Sequence, residues 1–318
     1  MLPKMRTGQS PAILHGPGRA AQPWAARTVG AFAAALALAL SGAARAESAC
    51  AGQAPGADRP IRDLSYLPAT PGVPASAHRL DLWPGAEPLP APLVVFVHGG
   101  TWMHGGKYAG TPAQARAFRA AGYAYATINY RLRRHGPPQA AARDVAEAVA
   151  FLRREAKGCG VDPGRIILMG HSAGAHLAAL VALDESYLAA AGVPPEVVRA
   201  VVLLDAYGLD IARHVRETGD PVYARVFGPD PAGWAAMSPV SHVAGGSLPP
   251  PVILHLADDN PETEGQAQEL AGALRASGGV AEVHEAEGES HNSLNYGFGA
   301  VDDETTRRTL EFLAARVR

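Results

Sequence analysis

Several things are scarce in this 318-residue chain, and each scarcity removes a class of explanation. It has two cysteines, Cys50 and Cys159, so it is no disulfide-dense scaffold, and no Cys/His spacing of the zinc-site kind occurs. Acidic and basic residues nearly balance at a formal net charge of −2, which leaves no basic surplus to hold nucleic acid or an anionic membrane. Long hydrophobic runs are missing too. The apolar stretch Val29–Leu40 is too short to cross a bilayer comfortably. What is present, 47% hydrophobic and 18% charged residues, is a globular composition able to bury a sizeable core.

The N-terminal segment reads as an address. Arg19 and Arg27 precede Val29–Leu40, and Ser41, Gly42 and then Ala44-Arg45-Ala46 follow. Charge, apolar core and A-x-A site in that order form a secretory signal. The expectation is a signal peptide over 1–46, cleaved after Ala46, and a single domain over 47–318 with no stable membrane insertion. An uncleaved anchor is the alternative, and Met5 is an alternative start. Export means a secreted or periplasmic location, where Cys50 and Cys159 meet oxidising conditions; two cysteines alone leave open whether they pair.

From Glu47 to about Pro92 the chain is rich in Pro, Gly and Ala, with "HRLDLW" as its one strand-like stretch, expected at a sheet edge. A regular alternation then begins. "PLVVFVHGG", "AYATINYRL", "RIILMGHSAG", "AVVLLDAYGL", "PVILHLADD" and "VAEVHEAEG" read as strands. "AQARAFRAAG", "QAAARDVAEAVAFLRREAKGCG", "ETEGQAQELAGALRASGG" and "DDETTRRTLEFLAARV" carry helical spacing. Continuous apolar strands alternating with helices mean an α/β domain, its mostly parallel sheet covered on both faces. The segment 210–249 lacks clear periodicity and is the candidate cap or lid.

The third strand runs into "GHSAG". Gly-x-Ser-x-Gly between a strand and a helix is a nucleophile elbow, which places Ser172 in a strained turn at the C-terminal edge of the sheet. A serine hydroxyl needs a base, and the base needs a carboxylate to orient it. After such an elbow the chain order is serine, acid, histidine. His291 is in a loop after the last strand and follows both the serine and a strand-end carboxylate, so it is the expected base. His284 lies within a strand pattern and His242 precedes the acid. For the acid, Asp258 and Asp259 end the fifth strand, and Asp205 at the end of the fourth is a further possibility or a hydrogen-bonding residue beneath the elbow. "HGGTW" follows the first core strand. Its Gly99 and Gly100 N–H groups, with that of Ala173, are the expected oxyanion donors. His98 reads as a prop for that loop, and Trp102 and Tyr207 are candidate pocket residues.

From about Leu93 onward the chain resembles the α/β-hydrolase serine esterases that include hormone-sensitive-lipase-like carboxylesterases, feruloyl-esterase-like proteins and kynurenine formamidases. "HGGTWMHGGK" resembles their H-G-G-x-W loop, "GHSAGAHLAALVA" their nucleophile segment, and "SHNSLNYGFG" the segment carrying their histidine, here His291. "ILHLADD" resembles their acid segment H-G-x-x-D, which implies Asp259 as the triad acid. Leu256 departs from that segment's glycine, and "RRHGPP" departs from the stretch after "YRL". Arg133, Arg134 and Lys107 either recognise an acidic acyl group or form a solvated loop. The resemblance implies an α/β-hydrolase fold and hydrolysis of a small-molecule ester, with no metal or organic cofactor. A formamidase-like amide hydrolase is the nearest rival, and a hydrolase-fold binding protein without turnover is the rival of another class.

Overall fold

Parallel pairing of the apolar strands organises everything else in the molecule. The computed structural model describes residue 50 and residues 59–243 and 247–317, which fall in one compact unit. The expected signal segment 1–46 lies outside the described residues. The strands are β1 (Ile61–Ser65), β2 (Arg79–Trp83), β3 (Ala91–Val97), β4 (Ala124–Ile128), β5 (Val161–His171), β6 (Val198–Leu204), β7 (Val252–Ala257) and β8 (Ala281–Ala286). They form one eight-stranded sheet in the order β1-β2-β4-β3-β5-β6-β7-β8. β3 to β8 run parallel, while β1 and β2 add an antiparallel margin. The six core strands read from the sequence are all present.

The lead-in differs from expectation in one respect. Ile61–Ser65 forms an outer strand, so β2, the "HRLDLW" segment, is not the edge; it sits between β1 and β4. Its Leu80 and Leu82 are buried, and Asp81 is buried between them because Lys107 Nζ reaches its carboxylate at 2.5 Å. β1 escaped sequence reading because its partly exposed "IRDLS" offers little apolar pattern.

Alternate residues along each central strand enter opposite faces. Val95, Val97, Leu168, Val201, Leu203 and Leu254 pack with residues of α2 (Pro138–Glu155), α3 (Ala173–Leu183) and α8 (Pro261–Ala276). Val94, Phe96, Ile167, Met169, Val202 and Ile253 pack on the other side with Phe118 of α1 (Pro112–Ala120) and Phe312 and Leu313 of α9 (Glu304–Arg316). Both faces are therefore apolar, which is why these strands read as continuous hydrophobic runs.

α4 (Glu185–Ala190) continues from α3, and the candidate lid follows β6. Segment 210–249 contains α5 (Ile211–Thr218), α6 (Pro221–Phe227) and α7 (Pro231–Met237). Asp210, Asp220 and Asp230 cap them, accepting the backbone N–H of Arg213, Val222 and Ala232. Helices of two turns are too short to display a 3.6-residue period, hence the patternless sequence. Cys50 and Cys159 form a disulfide with their Cα atoms 5.6 Å apart, tying the start of the described chain to the turn after α2.

Candidate active site

The elbow answers to steric demands on both flanks. β5 ends at His171, α3 begins at Ala173, and Ser172 between them holds φ 57° and ψ −125°, a conformation that a serine adopts only when its surroundings enforce it. Its N–H is bonded to Leu204 O of β6 at 2.9 Å. A side chain on Gly170 would strike the Gly174 carbonyl, and one on Gly174 would strike the carbonyls of Val97 and His98. The two glycines thus let the elbow close on itself and let α3 begin against the end of β3.

That closeness also brings the Gly99 loop against the serine. A Cβ on Gly99 would lie 3.0 Å from Ser172 Cβ, so the Gly99 backbone abuts the serine. Among the described residues, the N–H groups of Gly99, Gly100 and Ala173 have no hydrogen-bond partner. All three belong to the turns that meet at Ser172, and together they can receive an oxyanion. His98 props the loop as expected. Its Nδ1–H donates to Gly99 O at 2.7 Å, its ring stacks on Tyr130 at 4.2 Å, and Tyr130 Oη donates to His98 O at 2.8 Å. Burial lowers the His98 pKa to about 4 and keeps the prop neutral.

His291 follows β8 and is brought over the elbow by its neighbour in space, His171. His171 Nε2 donates to His291 O at 2.7 Å, and the two rings lie 4.5 Å apart. Burial, then the proximity of His291, lowers the His171 pKa to about 4, so it serves as a neutral brace.

The carboxylate at the His291 ring is Asp205, not Asp259. His291 Nδ1 donates to Asp205 Oδ2 at 2.6 Å. Asp205 is fully buried at the end of β6, where it also accepts from Asn260 Nδ2 (2.6 Å), Thr263 Oγ1 (2.6 Å) and Ala257 N–H (3.3 Å). Burial raises its pKa, but the hydrogen bonds from His291, Thr263 and Asn260 outweigh that and hold the carboxyl below its ordinary value. Asp259 stands on an exposed turn and takes the His291 main-chain N–H at 3.0 Å. Asp258 likewise accepts a loop amide, that of Gly288, at 3.2 Å. The structure does not bring Asp259 to the ring, because the ring turns inward, toward the end of β6, while the two carboxylates after β7 hold only the loop's backbone. A legible hint was Asp205 itself, a lone carboxylate ending the apolar run Ala200–Leu204. Asn260 and Thr263 carried no such signal.

Of the candidate pocket residues, Tyr207 lies edge-on to His291 with ring centroids 5.3 Å apart, its hydroxyl donating to Asn260 Oδ1 at 3.2 Å. Trp102 is only 3% exposed and packs inside the protein against His176, Tyr223 and Phe227 rather than forming an open wall. The basic residues are committed within the protein. Lys107 bonds Asp81 and lies 3.1 Å from Asp63, Arg133 Nε donates to Val226 O, and Arg134 donates to Met103 O.

Residues 80–274 match the BD-FAE family model. The chain belongs to the BD-FAE family. BD-FAE membership and the sheet topology together establish the α/β-hydrolase fold of the carboxylesterase group. Esterase LipQ of Mycobacterium tuberculosis is 30% identical over 227 residues, covering 67% of this chain and 53% of that protein. A probable isoprenylcysteine alpha-carbonyl methylesterase of Oryza sativa subsp. japonica is 29% identical over 235 residues, 68% of this chain and 56% of its own length. The chain thus spans about half the length of these curated relatives. Among solved structures, Esterase B of Lactobacillus rhamnosis superposes with a TM-score of 0.66 at 22% identity, covering 89% of this chain and 93% of that one. Propionate-bound Est2, a thermophilic esterase of Thermogutta terrifontis, gives 0.59 at 25% identity, covering 79% and 97%.

Proposed function

We propose that this BD-FAE protein is an exported serine carboxylesterase that hydrolyses small to medium carboxylic esters through an acyl-enzyme. The observation that carries the reading is the meeting of three strand ends, where Ser172 after β5, Asp205 after β6 and His291 after β8 converge beside the amides of Gly99, Gly100 and Ala173.

The chemistry follows from the proton positions. Because Nδ1–H of His291 donates to Asp205, the neutral ring leaves Nε2 as the base. Ser172 Oγ attacks the ester carbonyl carbon while Nε2 takes the hydroxyl proton, and the carbonyl oxygen becomes an oxyanion facing the three amides. Asp205 stabilises the imidazolium so formed. The C–O bond to the alcohol then breaks and Nε2 returns the proton to the departing alcohol. Water, deprotonated by the same nitrogen, attacks the acyl-enzyme, and the acid leaves with Ser172 restored. Est2 with propionate bound and LipQ named an esterase support an ester substrate. The A-x-A site ending at Ala46 and the Cys50–Cys159 pairing support export, since disulfides persist in oxidising compartments.

The test is turnover of p-nitrophenyl esters from acetate to laurate by the mature protein, with N-formylkynurenine and the Ser172→Ala variant alongside. Ester hydrolysis lost in the variant is the expected result, and the chain-length profile then sizes the pocket. Preference for the formamide transfers the same machinery to amide hydrolysis, and folded protein that turns over nothing overturns the reading.

A further inference from the structure

The loop that presents the oxyanion amides is under strain and needs an anchor. Gly100 has φ 121°, and the next two residues, Thr101 and Trp102, hold φ 51° and 58°, the left-handed region in which side-chain-bearing residues are disfavoured. Two consecutive residues stay there only if something outside the loop holds them. The loop's own hydrogen bonds, from Met103 and His104 N–H to Gly100 O, close a turn but do not fix where it sits relative to Ser172.

The main chain of Trp102 is held by Arg133 N–H, which donates to Trp102 O at 2.8 Å, and its indole ties the loop to the helix that follows Ser172. The indole is buried edge-on among His176, Tyr223 and Phe227, and Gly208 approaches so closely that a Cβ there would meet Trp102 Cζ2 at 3.2 Å. Its Nε1–H donates to His176 Nδ1 at 3.0 Å. Since Nδ1 accepts, the neutral ring carries its proton on Nε2, which donates to Met237 O at 2.7 Å. Met237 is the last residue of α7, where a helix carbonyl lacks an intrahelical partner. Burial holds the His176 pKa down to about 4, so this polarity persists at neutral pH.

His176 also lies four residues after Ser172 on α3, its N–H bonded to Ser172 O at 3.2 Å. One rigid helix therefore carries both the nucleophile and the residue that grips the oxyanion loop. We propose that His176 is a positioning residue: it sets the oxyanion amides against Ser172 by holding Trp102 on one side and the end of the cap helix on the other. The proposal rests on the esterase reading for its kinetic consequence but not for its structural one.

Two variants test it. His176→Phe keeps a ring among the aromatics and removes both hydrogen bonds, whereas the amide of His176→Gln offers an acceptor and a donor. For each, kinetics on p-nitrophenyl acetate are measured together with hydrogen exchange of the Met103 and His104 amides, which bond to Gly100 O and report on the loop, with β2 and β4 amides as the internal control. Losing one oxyanion donor outright costs roughly 10²–10³ in kcat, so displacing the loop is expected to cost about 10- to 100-fold, with KM little changed because the amides act on the transition state. Loop amides in the Phe variant exchange about tenfold faster or more while the control amides hold, and Gln restores most of both. If His176→Phe does not fold, Trp102→Phe, which lacks only the indole donor and some ring area, is read out in the same way. Wild-type loop exchange in a folded variant overturns the proposal whatever the kinetics. Absence of ester turnover by the wild type refutes the esterase reading alone and leaves exchange to decide this one.

Discussion

Asp205→Asn is the most informative single substitution, because the acid is where tertiary structure and sequence pattern part company. The Asp205 carboxylate receives donors on both oxygens: His291 Nδ1–H and Asn260 Nδ2–H on Oδ2, Thr263 Oγ1–H and Ala257 N–H on Oδ1. An asparagine has one oxygen, so either orientation sets an NH2 against donors. If the NH2 faces the ring, His291 shifts its proton to Nε2 and presents a donor to Ser172 in place of a base. The analogous change in a serine-protease triad costs about 10⁴ in kcat, or about 5.5 kcal/mol at 1.36 kcal/mol per tenfold. If the NH2 faces Thr263, whose hydroxyl can rotate to accept, the tautomer survives but the imidazolium loses its counter-charge. The expected loss in kcat is therefore at least about 10²-fold and reaches about 10⁴. Asp259→Asn is the matched control. Its amide oxygen still accepts the His291 main-chain N–H, so kcat should stay within about threefold; Asp259→Ala, which removes that exposed bond, should cost no more than about tenfold. The assay is p-nitrophenyl acetate hydrolysis, with circular dichroism to confirm folding. If Asp259→Asn is the more damaging variant, the assignment of Asp205 is wrong.

Other consequences are open to measurement. His98, His171 and His176 stay neutral down to about pH 4 and His255 to about 3, all because of burial, whereas an unfolded chain protonates them near 6.5. Below 6.5 the unfolded state binds more protons, so the stability these groups contribute is complete above pH 6.5 and is lost as pH falls toward 4, or toward 3 for His255 of β7; the shifts correspond to about 3 kcal/mol each for the first three and about 5 kcal/mol for His255. Thermal melts between pH 7 and 4.5 should show a falling Tm, and a flat profile would contradict their neutral burial. Reducing Cys50–Cys159, which closes a separation of 109 residues, should lower unfolding free energy by up to about 5 kcal/mol in the chain-entropy account, seen as a lower denaturation midpoint with reductant. Two glycines should respond oppositely. Gly174→Ala drives a methyl into the Val97 and His98 carbonyls and should cost about 1–3 kcal/mol. Gly272→Ala, in the middle of α8 with nothing within 4 Å of the new methyl, should stabilise by about 0.5–1 kcal/mol. Equal effects of the two in denaturant titrations would argue against the packing at the elbow.

What could be read without coordinates is what the chain specifies over short distances. The six core strands are apolar runs because both sheet faces are covered, and that demand is written residue by residue. The elbow is equally local: Gly170 and Gly174 answer to each other across a single turn, so "GHSAG" between a strand and a helix points to Ser172 directly. His291 was identifiable from chain order. The edge strand "IRDLS" and the three short helices of segment 210–249 were not, the first because its residues are mostly exposed, the second because seven or eight residues cannot show a helical period.

Tertiary structure alone decided the partnerships. Asp205 and Asp259 both follow strands, and both bond to His291, one to the ring and one to the main chain. Which does which depends on the direction the ring turns after β8, and that is set by the His171 brace and by the donors of Asn260 and Thr263 waiting around Asp205. Likewise "HGGTW" announces a loop rich in free amides, but its Trp102 is bonded by His176, 74 positions away, which in turn bonds Met237 O at the end of α7. Sequence carries local conformation because sterics and hydrophobic period act between near neighbours. Hydrogen-bond partners across the sheet's C-terminal edge are chosen only when the strands have paired and their ends are brought together.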